Sequence, residues 1–285
     1  MNPVFRINFI FGSLLLVGVM ILVQMGLYIA HQLWDVRLPW NFFQYCISAL
    51  KEETVAHNVI KFLINVIILY TFGKMIWRLY KQLRLTQKWL RVFHSKKHTK
   101  LTKQLNDKYK KWGTEFIVVN DEKFIALTIG FFQPRIIVST GVLSMFSNHE
   151  VEAILLHEWY HCRNRDPLKM FLLALILDGL GYIPTMKAMV RDFKTWKELL
   201  ADRFAIKQMG TEYYLGNVLL KLSEVGKMQH STAVAYFAEN AINYRIMQVL
   251  EPKQRIHVPM SDFKPLLLTL SLIFIMSSII LGGCS

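Results

Sequence analysis

Cysteine is scarce in this sequence. Cys46, Cys162 and Cys284 are the only three in 285 residues, too few and too scattered for a disulfide framework or a cysteine-built metal site. Acidic residues are scarce where basic ones crowd: Lys74 to Trp112 carries thirteen Lys or Arg and a single acid, Asp107. About +12 of the net +14 therefore sits in that one segment, and the rest of the chain is nearly neutral. Internal repeats are absent as well. What abounds is apolar surface, at 53% hydrophobic residues, more than an ordinary soluble domain of this length carries.

Three apolar runs read as membrane spans. Phe9 to Ala30 is uncharged and has about the 20 residues needed to cross a bilayer, with Arg6 before it and no small-residue cleavage site after it. Val59 to Ile76 is the second, and Lys74, Arg78 and Lys81 mark its cytoplasmic end by the positive-inside rule, which also puts the N-terminus inside. Leu266 to Leu281, preceded by Lys264, is a slightly short third with its C-terminus outside. The external loop from Gln32 to Asn58 has Trp34, Trp40, Phe42 and Phe43 suited to the membrane interface and looks too short for a sensor domain.

In the basic segment Leu79, Leu83, Leu90 and Phe93, then Leu101, Leu105, Tyr109 and Trp112, recur at helical spacing, predicting amphipathic helices against the membrane or the protein. A solvated linker is the plain alternative, and nucleic-acid binding a further one. Because the basic run follows directly on an apolar stretch, lipid is the expected partner and no nucleic acid is expected. The domain reading is 1–78 for two spans and their loop, 79–113 for basic cytoplasmic helices, 114–263 for a catalytic domain and 264–285 for the last span.

From Thr114 the texture changes to short β-branched and aromatic runs at Phe116 to Val119, Phe124 to Phe131 and Arg135 to Ser139, which predict strands around turns. Ser147-Asn-His-Glu150 then reads as a capping box opening a helix whose Val151, Ile154, Leu155 and Leu156 form a buried face. That helix contains His157-Glu-Trp-Tyr-His161. Histidines four apart stand one turn apart on one face, so both imidazoles can converge on one zinc ion, with Glu158 beside them as a base for water. Chance places such a motif in about one sequence in a hundred of this composition. The alternative is two histidines satisfied by hydrogen bonds in a metal-free protein.

A catalytic zinc site needs a third protein ligand. Glu198 is the candidate, because Glu198 and Asp202 lie one turn apart on a helical segment, Trp196 to Ala205, where Asp202 can orient a ligand histidine. Two other readings stay open: Thr195-x-x-Glu198 is a possible capping box, and Lys194 and Glu198 a possible surface ion pair. Asp166 is similarly double, either orienting a ligand or capping a helix that starts at Pro167.

At this point the chain resembles the BlaR/MecR-type membrane zinc peptidases, gluzincins related more distantly to the HtpX and CAAX-prenyl endopeptidases. The resemblance rests on Gly130 to Leu143, His157 to Pro167, the Glu198 and Asp202 pair, and Arg245-Ile-Met-Gln-Val-Leu250. It implies His157, His161 and Glu198 as zinc ligands, Glu158 as general base and Asp202 beside a ligand histidine. It implies for Arg245 a role at the oxyanion or the substrate, against the commoner role of salt-bridge partner, and makes His230 and Tyr236 weaker oxyanion candidates. The expected fold is mainly α with a small β-sheet, a multi-pass membrane protein carrying a gluzincin-type α+β zinc peptidase domain. Antibiotic-sensing members carry a large extracellular penicillin-binding domain after the last span, and this sequence is expected to lack it and to have fewer spans before the protease region.

Met170 to Ile183 is apolar but short, with Asp178 inside it. A single crossing there would put His161 and Glu198 on opposite sides of the membrane, so it is expected to be a buried core helix or a re-entrant segment. The active site then faces the cytoplasm of a bacterial cell, at its membrane. The expected activity is peptide hydrolysis with one zinc per chain. The resemblance implies as substrate a cytoplasmic transcriptional repressor, the peptidase itself or another membrane protein, with one of the strands, Arg135 to Ser139, expected to pair with it; a homodimer is a further expectation. The opposing reading is a non-proteolytic signal transducer that keeps the fold. Leu281-Gly-Gly-Cys284 resembles a lipoprotein processing box, or is a small-residue end to a span.

Overall fold

A computed structural model describes residues 3–34, 55–227 and 244–250 and Ser271. In chain order the elements are α1 (Pro3–Trp34), α2 (Val55–Ser95), α3 (Thr99–Lys108), a 3-10 turn (Lys110–Trp112), β1 (Phe116–Val119), β2 (Ala126–Ile129) and β3 (Arg135–Ser139). There follow α4 (Thr140–Met145), α5 (Asn148–Arg163), α6 (Asp166–Leu180), α7 (Pro184–Met209), α8 (Tyr213–Lys227) and helical residues 244–250. The mainly helical expectation with a small sheet is met. Two compact units divide the chain: one takes in Gln82–Phe171 and Phe193–Val258, the other Asn8–Lys81 and Leu172–Asp192.

In the first unit the β-branched runs form a three-stranded sheet of order β1-β3-β2. β1 is parallel to β3, with Phe116 opposite Ile136, and β2 is antiparallel to it, with Ala126 opposite Val138. The period-two alternation of strands sorts the side chains. Phe116, Val118, Ile136 and Val138 pack with Val142 of α4 and Val151, Ile154 and Leu155 of α5. Ile117, Val119 and Ile137 turn to the other face, with Phe93. Gly141 lets α4 start directly after β3, since a Cβ there would lie 2.2 Å from the Glu122 carbonyl oxygen.

The three strands differ in what their edges offer. β3 has a neighbour on each side, so its peptide groups are committed and the expected pairing of Arg135 to Ser139 with substrate is corrected. The outer edge of β1 is filled by α3: Asn106 bonds Phe116 N at 2.9 Å and Phe116 O at 2.8 Å, and Thr102 Oγ1 accepts from Val118 N at 3.0 Å. Among the described residues, β2 is left with an open edge. Ser139 N donates to Ile125 O, so by antiparallel alternation the peptide groups of Leu127 face β3 and those of Ala126 and Thr128 face away.

The capping box forms as its sequence predicts: Ser147 Oγ accepts from Glu150 N, and Glu150 Oε2 accepts from Ser147 N at 2.8 Å. α5 ends at Asn164, and Arg165 turns the chain with a φ of 52° before α6 begins at Asp166.

The second unit contains most of α1 and α2, two helices long and apolar enough to cross a bilayer. The span expected at Val59 to Ile76 and the first basic helix expected after it form one continuous helix. Neither Gly nor Pro interrupts Lys74 to Ser95, and α2 runs on until Lys96 and Lys97 join the β1 edge, where Asn120 N donates to Lys96 O. The Met170 to Ile183 run is a helix up to Leu180, and its later part packs within this unit. A side chain at Gly18 would press on Ile176 and one at Gly179 on Met75; Thr71 Oγ1 donates to Gly179 O, and Arg78 pairs with Asp178. That pairing accounts for the acid in an apolar run. The third span, most of the external loop and the Leu281 to Cys284 motif lie outside the described residues.

Candidate metal and active site

α5 and α7 supply the core of the site. His157 and His161, buried on one face of α5, bring their Nε2 atoms to 3.1 Å with the rings edge to face. Glu198 comes from the middle of α7, its Oε2 3.2 Å from His157 Nε2 and 3.6 Å from His161 Nε2. Because Thr195 and Glu198 lie inside α7, Thr195-x-x-Glu198 is no N-terminal capping box. The other carboxylate oxygen, Oε1, is 2.8 Å from Lys197 Nζ, so the cation beside Glu198 is Lys197.

These three donor atoms fit a small divalent cation. Bonds of about 2.0–2.1 Å at tetrahedral angles place donors about 3.3 Å apart, and the observed separations are 3.1, 3.2 and 3.6 Å. The charges agree: four carboxylates, of Glu158, Asp166, Glu198 and Asp202, converge here. Lys197 and Arg245 meet two of them at 2.7–2.8 Å, and Lys169 reaches Asp166 only at 3.9 Å.

Each histidine is backed by an acid. His161 Nδ1 donates to Asp166 Oδ2 at 2.7 Å, so Asp166, at the first turn of α6, orients a candidate ligand while standing at a helix N-terminus. Asp202 Oδ1 lies 2.8 Å from His157 Nδ1, an ion-pair distance outside hydrogen-bond alignment. Asp202 is wholly buried, and Arg245 grips it with both arms, Nε at 2.7 Å and Nη2 at 2.8 Å. The remaining arm, Nη1, stands 3.8 Å from Glu198 Oε2.

Residues 244–250 hold this brace in place. Gln248 Nε2 donates to Leu199 O, Gln248 Oε1 accepts from Arg203 Nε, and Val249 packs with Leu215 and Leu219 of α8. Titration follows the geometry. Burial and the Arg245 charge push His157 down, yet Asp202 and Glu198 outweigh them and raise it to about 9. Burial likewise opposes ionisation of Glu198, but both histidines and Lys197 hold it well below the usual carboxylate range.

Glu158 faces β2. Thr128 Oγ1 is 2.9 Å from both its Oε2 and its backbone oxygen, and the hydroxyl can donate to one of them at a time. Glu158 and the two histidines line a cleft of about 410 Å³ with the open strand β2 on one wall and Leu215, Val218, Leu219 and Leu222 of α8 on another. The sequence reading missed Thr128 and Lys197. Thr128 is the one polar side chain within Phe124 to Phe131, and such a break in an apolar strand was a usable signal. His230 and Tyr236 lie outside the described residues.

A description of the BlaR1 peptidase M56 family matches residues 42–249. The Regulatory protein BlaR1 of Bacillus licheniformis is 31% identical over 111 residues, which make up 38% of this chain and 18% of that protein. The match thus spans less than a fifth of the relative's length.

Proposed function

This chain belongs to the BlaR1 peptidase M56 family, and from that membership and the donor triangle on α5 and α7 we propose that it is a membrane-embedded zinc endopeptidase. His157, His161 and Glu198 hold the zinc, Glu158 is the general base, and Asp202 and Asp166 fix the two histidines. The single observation that carries the reading is the approach of His157 Nε2, His161 Nε2 and Glu198 Oε2 within 3.6 Å of one another, on two separate helices.

Zinc, when bound, supplies the Lewis acidity that activates water and polarises a peptide carbonyl. The protein's part is placement and proton transfer. Extended substrate adds to the open edge of β2, where the peptide groups of Ala126 and Thr128 are free to pair. Glu158 takes the proton of the attacking water and passes it to the leaving amine. The Thr128 hydroxyl, donating to Oε2, keeps Glu158 turned into the cleft. Lys197, on Glu198 Oε1, keeps the second oxygen aimed at the histidines. Arg245 acts through Asp202 in this scheme and balances the buried acids.

α1 and α2 cross the membrane in this proposal, with a third span at Leu266 to Leu281 and the peptidase region, about 114–263, on the cytoplasmic side. The substrate is a cytoplasmic or membrane-proximal protein in a signalling path: a transcriptional repressor, the peptidase itself or a membrane neighbour.

The test compares the proteomes of bacterial cells carrying the wild type and Glu158→Gln, together with the metal content of both purified proteins. Fragments present only with the wild type, and about one zinc in each protein, are expected. Identical fragment patterns together with zinc-free protein would sink the proposal, and intact signalling by Glu158→Gln would favour a non-proteolytic transducer.

A further inference from the structure

The back of α5 carries a second cleft, of about 570 Å³, to which the chemistry above assigns nothing. Trp159, Cys162 and Arg163 open into it, whereas His157 and His161 lie on the helix face that bears the metal donors. Its apolar surfaces are Trp112, stacked on Trp159 at 4.8 Å, and Pro134, with Phe132 exposed at the mouth.

The polar lining is unbalanced. Glu115 is taken by Arg135, 2.9 Å away. Arg163 and Arg165 are exposed at the rim, and among the described residues neither has a carboxylate within ion-pair distance; Arg163 lies only over the Trp159 ring, at 6.0 Å. Lys110 and Lys111, exposed in the turn that leads into Trp112, extend the same sign outward.

Arg165 also sits where an arginine is costly. Its φ of 52° is in the left-handed region, which favours glycine and costs other residues about 1–2 kcal/mol. The turn from α5 to α6 needs that conformation, yet it places a long cation at the cleft rim instead of a glycine. Strained positions of this kind cluster at ligand-binding sites.

We propose that this cleft is an exosite that captures an acidic, aromatic-containing segment of a protein, carrying it to the same unit as the catalytic cleft. Guanidinium groups beside the tryptophan and proline surface of a mixed cleft match a carboxylate beside an aromatic ring: the fork pairs with the acid in two hydrogen bonds, and the tryptophans receive the ring. The recess favours a peptide over a bilayer, because a flat sheet of headgroups cannot enter a concavity lined by Trp112, Pro134 and Cys162. The inference rests on the peptidase reading only for its purpose; binding itself needs no catalysis.

The experiment uses the full chain in detergent or nanodiscs and fluorescence polarisation with a labelled peptide of alternating Glu and Phe. The wild type and Glu158→Gln should bind it alike, and Arg163→Glu with Arg165→Glu should weaken binding at least tenfold. Arg165→Gly, which relieves the strained φ and removes only one cation, should weaken binding while keeping or raising thermal stability, so loss of folding cannot imitate the effect. A Lys and Phe peptide should not bind. Equal binding by wild type and double variant overturns the proposal. So does an absence of peptide binding, or charge-dependent binding of phosphatidylglycerol vesicles without the peptide. Since Glu158→Gln keeps the cleft, failure of the exosite and failure of the peptidase reading give different results.

Discussion

Asp202→Asn is the sharpest perturbation of the site, because one carboxylate there does two jobs. Oδ1 stands 2.8 Å from His157 Nδ1, and both oxygens are held by Arg245 at 2.7 and 2.8 Å, with no exposure to solvent. Groups that orient a metal-binding histidine are typically worth about 10–100-fold in metal affinity. The upper end applies here, about 100-fold or about 2.7 kcal/mol, since an amide carries no charge for His157 and leaves Arg245, among the described residues, with Glu198 as its one carboxylate within ion-pair distance, at 3.8 Å. The assay is chelator competition for zinc at fixed pH, with thermal melting alongside. Asp202→Asn should melt lower as well, because it breaks a buried ion pair. Adding Arg245→Met should recover part of the melting temperature without recovering the affinity. A single variant that binds zinc within threefold of the wild type would refute the assigned orienting role.

Three further outcomes follow from the same geometry. Thr128→Val deletes the hydroxyl on Glu158 and should lower kcat about tenfold, in keeping with one charge-assisted hydrogen bond of about 1.5 kcal/mol, at unchanged metal content; an unaltered kcat would contradict it. Burial pushes Glu150 up, but Lys221 and the Ser147 amide hold it below the usual carboxylate range. A folded value below the unfolded one gives stability that is present above about pH 4.5 and lost as pH falls through the folded value. Glu150→Gln should therefore flatten the acid side of a melting-temperature profile. Gly141→Ala places a methyl 2.2 Å from a carbonyl oxygen and should cost about 1–3 kcal/mol or more, read as a lower melting temperature with no change in metal stoichiometry.

Much of the candidate site was legible because it is local. His157, Glu158 and His161 lie on one helix with its own capping box, and the spacing of Glu198 and Asp202 is again one helical turn. The three strands were legible from β-branched runs between turns. What the sequence concealed is pairing between distant segments. Sheet order is set by which edges α3 can cover with Asn106 and Thr102, so nothing in Arg135 to Ser139 announces that it is the central strand. Arg245 is separated from Asp202 by the last turns of α7 and all of α8, and its two-armed grip is a fact of packing alone. The continuity of α2 was not written in its composition: the change from apolar to basic residues marks a change of solvent, which a helix without Gly or Pro crosses unbroken.

The open edge of β2 bears on how tightly any substrate can be held. Only Ala126 and Thr128 turn their peptide groups outward, which limits an added strand to about four backbone hydrogen bonds, each with a net worth of about 1 kcal/mol. About 4 kcal/mol corresponds to a dissociation constant of about 1 mM. At that strength the edge selects by encounter frequency: a freely diffusing protein at micromolar concentration rarely occupies it. A chain tethered nearby, with an effective concentration in the millimolar range, occupies it much of the time. In the proposed peptidase, the shortness of one strand thus makes co-localisation a stronger determinant of what is cut than the residues that flank the scissile bond.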